Sequence, residues 1–245
     1  MRVLVLGGTA EGRALAEQLH PDVDIISSLA GRVPDPALPV GPVRIGGFGG
    51  AEGLRDWLID NDITAVVDAT HPFAATITAN AAAACADLEL PHLVLSRPPW
   101  DPAGATVVAT DTEAAEVIAA KGYSRVFLTT GRSGIDAFTG SDAWFLIRVV
   151  TAPDAAVLPA NHELVFSRGP YHYASECELL RTRGIDVLVT KNSGGEMTEA
   201  KLNAARALAV DVMMIDRPPL PTGVTVVGSA GDAVQWVLSR GSAGA

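Results

Sequence analysis

Asp62-Ile63-Thr64-Ala65-Val66-Val67-Asp68-Ala69-Thr70-His71 and Ile185-Asp186-Val187-Leu188-Val189-Thr190-Lys191-Asn192-Ser193 carry one pattern twice. In each, a short apolar, β-branched run (62–67 and 185–189) leads into a polar segment. Runs of this length and composition read as buried strands of a parallel sheet. Working outward, the agreement holds. Thr70 lies 27 residues before Arg97, and Thr190 lies 27 residues before Arg217. Each arginine opens an Arg-Pro-Pro that follows another apolar strand, 93–95 and 212–215, with Ala-rich helices before it over 74–86 and 198–209. Beyond the prolines, 106–108 and 225–227 are both Thr-Val-Val and lead into predicted helices over 112–120 and 231–238. The starts match as well, since residues 2–5 resemble residues 125–128.

Strand and helix alternating in two halves mean parallel sheets with helices on both faces. The sequence therefore predicts an α/β chain of two Rossmann-like domains with parallel sheets, related by an internal pseudo-repeat. Residues 1–98 form the dinucleotide-binding domain and 99–245 the substrate-binding domain, and the last strand and helix, about 223–240, are candidates to pack back on the first. The Pro-rich stretch 97–104 is the expected crossover. Ligands in such folds lie at the carboxyl ends of the strands, here the expected interdomain cleft. The segments to search are 7–12, 27–32, 46–50, 68–73, 129–134, 167–173 and 190–195.

Composition narrows the classes. With 48% apolar and 19% charged residues over 245 positions, a full core is easily built and disorder is not expected. The net charge of −10 argues against nucleic acid as a general partner. The apolar run before Gly7-Gly8 is too short for a signal peptide. The longest uncharged run, 69–86, is rich in Ala and Thr and includes His71 and Pro72, so it reads as a loop plus a buried helix, not a bilayer span. Cys85 and Cys177 form no Cys-x-x-Cys pair and read as buried thiols of a reducing cytosol. A cytoplasmic enzyme with a small-molecule partner and no membrane contact is the expectation.

Between the first strand and the first helix lies Gly7-Gly8-Thr9-Ala10-Glu11-Gly12. It has the position of a dinucleotide fingerprint, with Thr9 in place of the middle glycine. Gly7 allows the tight turn, Gly12 lets helix approach strand, Thr9 offers a hydroxyl donor, and Glu11 opens the helix whose N-terminus suits a pyrophosphate. A tight turn without a ligand is the competing reading. The second strand, 23–26, is followed by Ser27-Ser28, with no Asp or Glu to hold a ribose 2′-OH. Ser27, Ser28 and Arg32 suit a 2′-phosphate instead, which favours NADP, although Arg32 alone also reads as a solvated loop residue. Gly47, Phe48 and Gly49, within a run of glycines, supply a second loop near the cofactor or a mobile turn before the next helix.

Two chemistries are disfavoured. The fourth positions after Tyr123, Tyr171 and Tyr173 hold Phe127, Ser175 and Cys177, so there is no Tyr-x-x-x-Lys pair, and the five histidines show no metal spacing.

Several segments together resemble the precorrin-6A reductase family of cobalamin biosynthesis. They are Gly7-Gly8-Thr9-Ala10-Glu11-Gly12-Arg13, Asp68-Ala69-Thr70-His71-Pro72-Phe73-Ala74, Thr130-Gly131-Arg132, Lys191-Asn192-Ser193-Gly194-Gly195 and Arg217-Pro218, in that order along the chain. The resemblance implies NADPH as hydride donor and reduction of one ring double bond of precorrin-6A to give precorrin-6B. The cobalt-loaded substrate of the anaerobic pathway, or a non-catalytic NADP-sensing protein, are the alternative readings. A tetrapyrrole rich in acetate and propionate carboxylates needs basic and amide donors. Arg132, Arg168, Lys191, Asn192 and Ser193 stand at predicted strand ends of the second half, against an acidic background that otherwise disfavours anions. Each alone also reads as an ion-paired surface residue. Tyr171 is placed to stack on the macrocycle or to pack its own loop. Thr70 and His71 are expected beside the nicotinamide. His71 is a candidate general acid or simply a loop cap or cofactor contact, with Lys191 or water as other proton sources.

Overall fold

A computed structural model describes residues 1–31 and 36–241, so Arg32 lies outside the described residues. In chain order the strands are β1 (Arg2–Leu6), β2 (Asp24–Leu29), β3 (Val43–Ile45), β4 (Ala65–Asp68), β5 (His92–Leu95), β6 (Thr106–Val108), β7 (Arg125–Leu128), β8 (Trp144–Val149), β9 (His162–Phe166), β10 (Val187–Lys191), β11 (Asp211–Ile215) and β12 (Thr225–Val227). The α-helices are α1 (Ala10–Leu19), α2 (Ala51–Asp60), α3 (Ala75–Asp87), α4 (Asp111–Lys121), α5 (Tyr173–Thr182), α6 (Ala200–Ala207) and α7 (Ala230–Gly241). Among the described residues no helix is long and apolar enough to cross a membrane.

The expected α/β class with two parallel sheets is what the chain adopts. One sheet has the order β3-β2-β1-β4-β5-β12 and the other β9-β8-β7-β10-β11-β6, the same doubly wound order twice. Chain contacts divide the molecule into Met1–Pro98 with Pro218–Ala245, and Pro99–Arg217. Both Arg-Pro-Pro segments are therefore places where the chain changes unit. By chain position β6 follows the first of them and β12 the second. Yet Val107 pairs with Met214 of β11, and Val226 pairs with Val94 of β5. The two halves exchange their sixth strands.

The central strands are apolar throughout because both faces are covered. On β1, Val3 and Val5 pack with Leu15, Ala16 and Leu19 of α1 and with Ala233 and Val237 of α7. Leu4 and Leu6 point the other way, onto Leu54 and Leu58 of α2 and Ala81, Ala84 and Cys85 of α3. In the second unit Phe127, Leu146, Leu188 and Met214 meet Cys177, Leu180, Leu202, Ala204 and Ala205. Full burial of each large apolar side chain contributes about 1.5–3 kcal/mol.

Several boundaries differ from the sequence expectation: β4 begins at Ala65 and not at 62, and β10 at Val187 and not at 185, and three further differences bear on the site. Ser27 and Ser28 belong to β2 itself, because pairing of Ser27 with Val43 and Ser28 with Arg44 prolongs the strand. Thr190 and Lys191 likewise belong to β10, held by Met214 and Ile215. The helix expected over 198–209 starts as a 3-10 turn at Glu196–Thr198 and becomes α-helical only over Ala200–Ala207.

Candidate functional site

In the first unit the turn between β1 and α1 bends at Gly8, whose φ is 114°, and not at Gly7 as the sequence suggested. A Cβ on Gly8 would meet no atom of the described residues within 4 Å, so its backbone is open on that side. Thr9 is the N-cap of α1: its Oγ accepts from the Gly12 N–H at 3.0 Å and donates to the Ala69 carbonyl at 2.7 Å. The hydroxyl's one proton is thus used inside the turn. What remains for an anion is the backbone N–H groups and the positive end of α1. Glu11 is held by the Arg97 Nη1 at 2.8 Å, with both side chains largely buried. This pair balances the acidic charge beside the position an anion would take.

The carboxyl end of β2 adjoins this turn, since the Gly7 N–H bonds the Ser28 carbonyl at 2.9 Å. Ser27 is 1% exposed and its Oγ has no hydrogen-bond partner among the described residues. The Ser28 hydroxyl accepts from Arg44 Nη1 at 3.2 Å. Arg44 also donates to the Gly46 and Gly47 carbonyls, each at 2.6 Å, and its guanidinium carbon stands 3.8 Å from the centre of the Phe48 ring. Phe48 is braced edge-on by Trp57. Gly53 is obligatory beneath this loop, because a Cβ there would lie 1.9 Å from the Phe48 carbonyl oxygen. Gly49 is exposed, with a φ of 83°.

At the end of β4, Asp68 is 1% exposed and its Oδ1 accepts from both the Thr70 N–H (3.0 Å) and the Thr70 hydroxyl (2.6 Å). Thr70 is therefore anchored within its own turn. His71 is exposed, and its Nδ1 accepts from the Phe73 N–H at 3.2 Å. That bond puts the proton of the neutral ring on Nε2. Behind the strand, burial pushes the Cys85 thiol up to about 12, and the Asp68 charge adds to this, so Cys85 is a packing residue.

In the second unit, Lys191 ends β10 with a side chain only 11% exposed. Its Nζ donates to the Thr130 carbonyl (3.1 Å), the Ser133 carbonyl (3.2 Å) and the Ser133 hydroxyl (3.3 Å), and lies 3.9 Å from Asp111 Oδ2. Burial lowers the Lys191 pKa and raises that of Asp111, while each charge partly restores the other. Arg132 is exposed on the loop these bonds hold. Gly134 lets that loop approach α4: its φ is 89°, and a Cβ would come 2.3 Å from the Asp111 carboxylate.

Asn192, expected to serve the substrate, is 5% exposed and committed elsewhere. Its Oδ1 accepts from the Trp100 N–H at 2.8 Å and its Nδ2 donates to the Trp100 carbonyl at 3.2 Å. Ser193 sits in a loop clamped by Arg217, whose Nε bonds the Asn192 carbonyl (2.8 Å) and whose Nη2 bonds the Ser193 carbonyl (3.1 Å). Arg168 is exposed on the separate loop after β9. On the same loop Tyr171 lies over the Arg148 guanidinium at 4.0 Å, and Arg148 is in turn paired with Glu176.

The structure thus gathers Gly7, Gly8, Thr9, Gly12, Ser28, Gly47 and Phe48 at one sheet end of the first unit, and Arg132, Lys191 and Ser193 at one sheet end of the second. Arg44 also stands at this sheet end of the first unit, and in the sequence only its place before the glycine loop marks it. Arg97 and Arg217, equally spaced from Thr70 and Thr190 in the sequence, each act just past a strand end, on Glu11 and on the 192–193 carbonyls.

The chain matches the family model described as precorrin-6x reductase CbiJ/CobK over residues 2–238. It is 69% identical over 236 residues to the precorrin-6A reductase of Mycobacterium tuberculosis, covering 96% of this chain and 97% of that one. It is 52% identical to the precorrin-6A reductase of Rhodococcus erythropolis, with 96% and 97% covered, and 30% identical to the cobalt-precorrin-6A reductase of Priestia megaterium, with 97% and 98% covered. A solved structure of CobK precorrin-6A reductase matches with a TM-score of 0.89 at 38% identity, covering 98% of this chain and 97% of its own. The chain belongs to the precorrin-6x reductase CbiJ/CobK family.

Proposed function

We propose that this chain reduces one double bond of precorrin-6A, giving precorrin-6B, with NADPH as the reductant. The observation that carries the reading is the glycine turn of the first unit together with the Ser28–Arg44 pair beside it. Gly8 leaves its backbone open, the start of α1 suits a pyrophosphate, and the adjoining strand end carries a hydroxyl and a guanidinium where NAD-selective sites carry an acid. Gly7, Gly8, Gly12 and Ser28 are the residues that would hold the dinucleotide. When bound, NADPH supplies a hydride.

The remaining work falls to the chain. The exposed guanidinium groups of Arg132 and Arg168 suit the carboxylates of a tetrapyrrole. Lys191 keeps the Arg132 loop in place from below. The macrocycle delocalises developing charge itself, so the protein mainly aligns the two reactants and excludes water. A proton is still needed at the neighbouring carbon, and the exposed imidazole of His71 is the candidate donor. The cobalt-free substrate is favoured because the 69% and 52% identical relatives are precorrin-6A reductases and the cobalt-precorrin enzyme is 30% identical.

The test is stoichiometry. The purified protein is mixed with NADPH and precorrin-6A, and nicotinamide absorbance is followed beside the macrocycle spectrum, with cobalt-precorrin-6A in parallel. One NADPH consumed per macrocycle is expected with the cobalt-free substrate. Turnover of the cobalt form alone would reverse the substrate assignment, and turnover of neither would sink the reading.

A further inference from the structure

Arg44 differs from the paired arginines of this chain. Arg2, Arg55, Arg97, Arg148 and Arg183 each meet a carboxylate within 4.0 Å. Arg44 meets none among the described residues, in a protein with 28 acidic and 18 basic residues. Its partners are neutral: the Ser28 hydroxyl and the carbonyls of Gly46 and Gly47. Phe48 covers one face of the guanidinium. A partly buried cation without a counter-ion is costly to hold, and its burial lowers its affinity for the proton. The three bonds occupy both hydrogens of Nη1 and one of Nη2. Among the described residues the Nε hydrogen and the second Nη2 hydrogen have no acceptor, leaving two donors on a rigid fork suited to phosphate.

Its place is equally specific. Arg44 is in register with Ser28 on the neighbouring strand, so both side chains share a sheet face. Ser28 in turn receives the N–H of Gly7, the first residue of the glycine turn. The cation therefore stands on β3, across β2 from the turn and beside the β2 end at which dinucleotide enzymes read the adenosine ribose.

We propose that Arg44, with the Ser28 hydroxyl beside it, binds the 2′-phosphate of the adenosine ribose and is the residue that selects NADPH over NADH; this rests on the NADPH reading above. Phe48 and the Gly46 and Gly47 carbonyls fix the guanidinium before the ligand arrives, so little ordering is left to pay on binding. Arg32, the residue that the sequence offered for this role, is then secondary.

The experiment is direct titration of the purified protein with NADPH and with NADH, for the wild type, Arg44→Ala, Arg44→Lys and Arg32→Ala. The wild type is expected to bind NADPH at least about tenfold more tightly than NADH, equivalent to about 1.4 kcal/mol. Arg44→Ala should remove most of that ratio by weakening NADPH, with NADH held within about twofold, and Arg44→Lys should restore part of it. Phosphorus NMR of bound NADPH gives an independent readout. The 2′-phosphate should titrate below its free value in the wild type and move back toward it in Arg44→Gln. Equal loss of both cofactors in Arg44→Ala, no loss, an unchanged phosphate titration, or transfer of the whole effect to Arg32→Ala would each overturn the assignment while leaving the NADPH reading intact. A wild type that binds both cofactors equally overturns that reading and the assignment together.

Discussion

Asp111 Oδ2 lies 3.9 Å from Lys191 Nζ, and the same ammonium donates to the Thr130 and Ser133 carbonyls on the loop after β7. A strand-end lysine that reads in the sequence as a free hand for substrate is thus also a strut under the loop that carries Arg132. Asp111, from the first turn of α4, supplies its counter-charge, and Gly134 makes room for that carboxylate.

The first prediction concerns the titration of this pair. Burial holds the Lys191 pKa below 10.5, and Asp111 partly offsets that. The folded lysine therefore binds fewer protons than the unfolded one between its folded pKa and 10.5. Its contribution to stability rises as pH climbs through that window. Asp111, raised above 3.8, has the opposite slope: its contribution grows as pH falls through its folded pKa toward 3.8. Nitrogen NMR of the lysine side chain should place Lys191 below 10.5 in the wild type and lower still in Asp111→Asn. The unfolding free energy of the wild type minus that of Lys191→Met should rise as pH climbs toward 10.5. A Lys191 midpoint at or above 10.5 contradicts the burial argument.

Lys191→Ala makes a second prediction. Removing the ammonium leaves two loop carbonyls and Asp111 without their cation, at an expected cost of about 2–4 kcal/mol. The KM for the tetrapyrrole should rise tenfold or more, while NADPH affinity stays within about twofold. Hydrogen exchange at residues 130–134 separates two routes to that outcome. Faster exchange with raised KM means that Lys191 acts through the loop. Unchanged exchange with raised KM means that it touches a carboxylate itself. Wild-type KM in a folded Lys191→Ala protein removes the whole cluster from substrate binding.

How far the sequence reached can be judged from particular residues. The strands around Val66 and Leu188 were legible because three apolar, mostly β-branched positions in a row, 65–67 and 187–189, suit burial in a parallel sheet. Thr106-Val107-Val108 and Thr225-Val226-Val227 are the same tripeptide, so local pattern alone cannot say which sheet each joins; the Pro-rich crossover at 97–104 and the candidate return of 223–240 to the first half carried that distinction instead. Ser27 and Ser28 read as loop in the sequence because their strand propensity is low, but pairing with β3 overrides propensity. The site divides in the same way. The glycine turn follows from backbone needs visible in residue type. The fates of Asn192, spent on Trp100, and Arg44, turned onto Ser28, depend on side-chain direction, which three-residue β3 and an irregular loop do not encode periodically.

Gly8→Val tests the turn. At a φ of 114° a β-branched residue is strained by about 1–3 kcal/mol. A Cβ there meets no atom of the described residues within 4 Å, so the fold should survive. The side chain would, however, occupy the open space beside the N-terminus of α1. NADPH and NADH should then both be lost, unlike the selective loss expected for Arg44. Normal titration of either cofactor in a folded Gly8→Val protein moves the pyrophosphate away from this turn.

The last prediction separates stability from substrate binding at Arg148. Its Nη1 and Nη2 bond Glu176 Oε2 and Oε1 at 2.9 and 2.7 Å, with side chains 7% and 3% exposed. Phe127 lies 4.7 Å from the guanidinium carbon and Tyr171 4.0 Å, so the same cation pins the loop after β9. Arg148→Met strands a buried carboxylate and should cost about 3–5 kcal/mol. Adding Glu176→Leu removes that carboxylate, and the double variant should recover most of the loss, since apolar pairs replace buried ion pairs at little net cost. Neither change restores the cation beneath Tyr171, worth about 0.5–2 kcal/mol to its placement. The double variant is therefore expected to fold with near wild-type stability and yet to show a raised KM for the macrocycle, with NADPH affinity unchanged. Chemical denaturation beside steady-state kinetics measures both. A double variant as unstable as Arg148→Met shows that the ion pair is not what sets the cost, and a stable one with wild-type KM takes Tyr171 and its loop out of the substrate site.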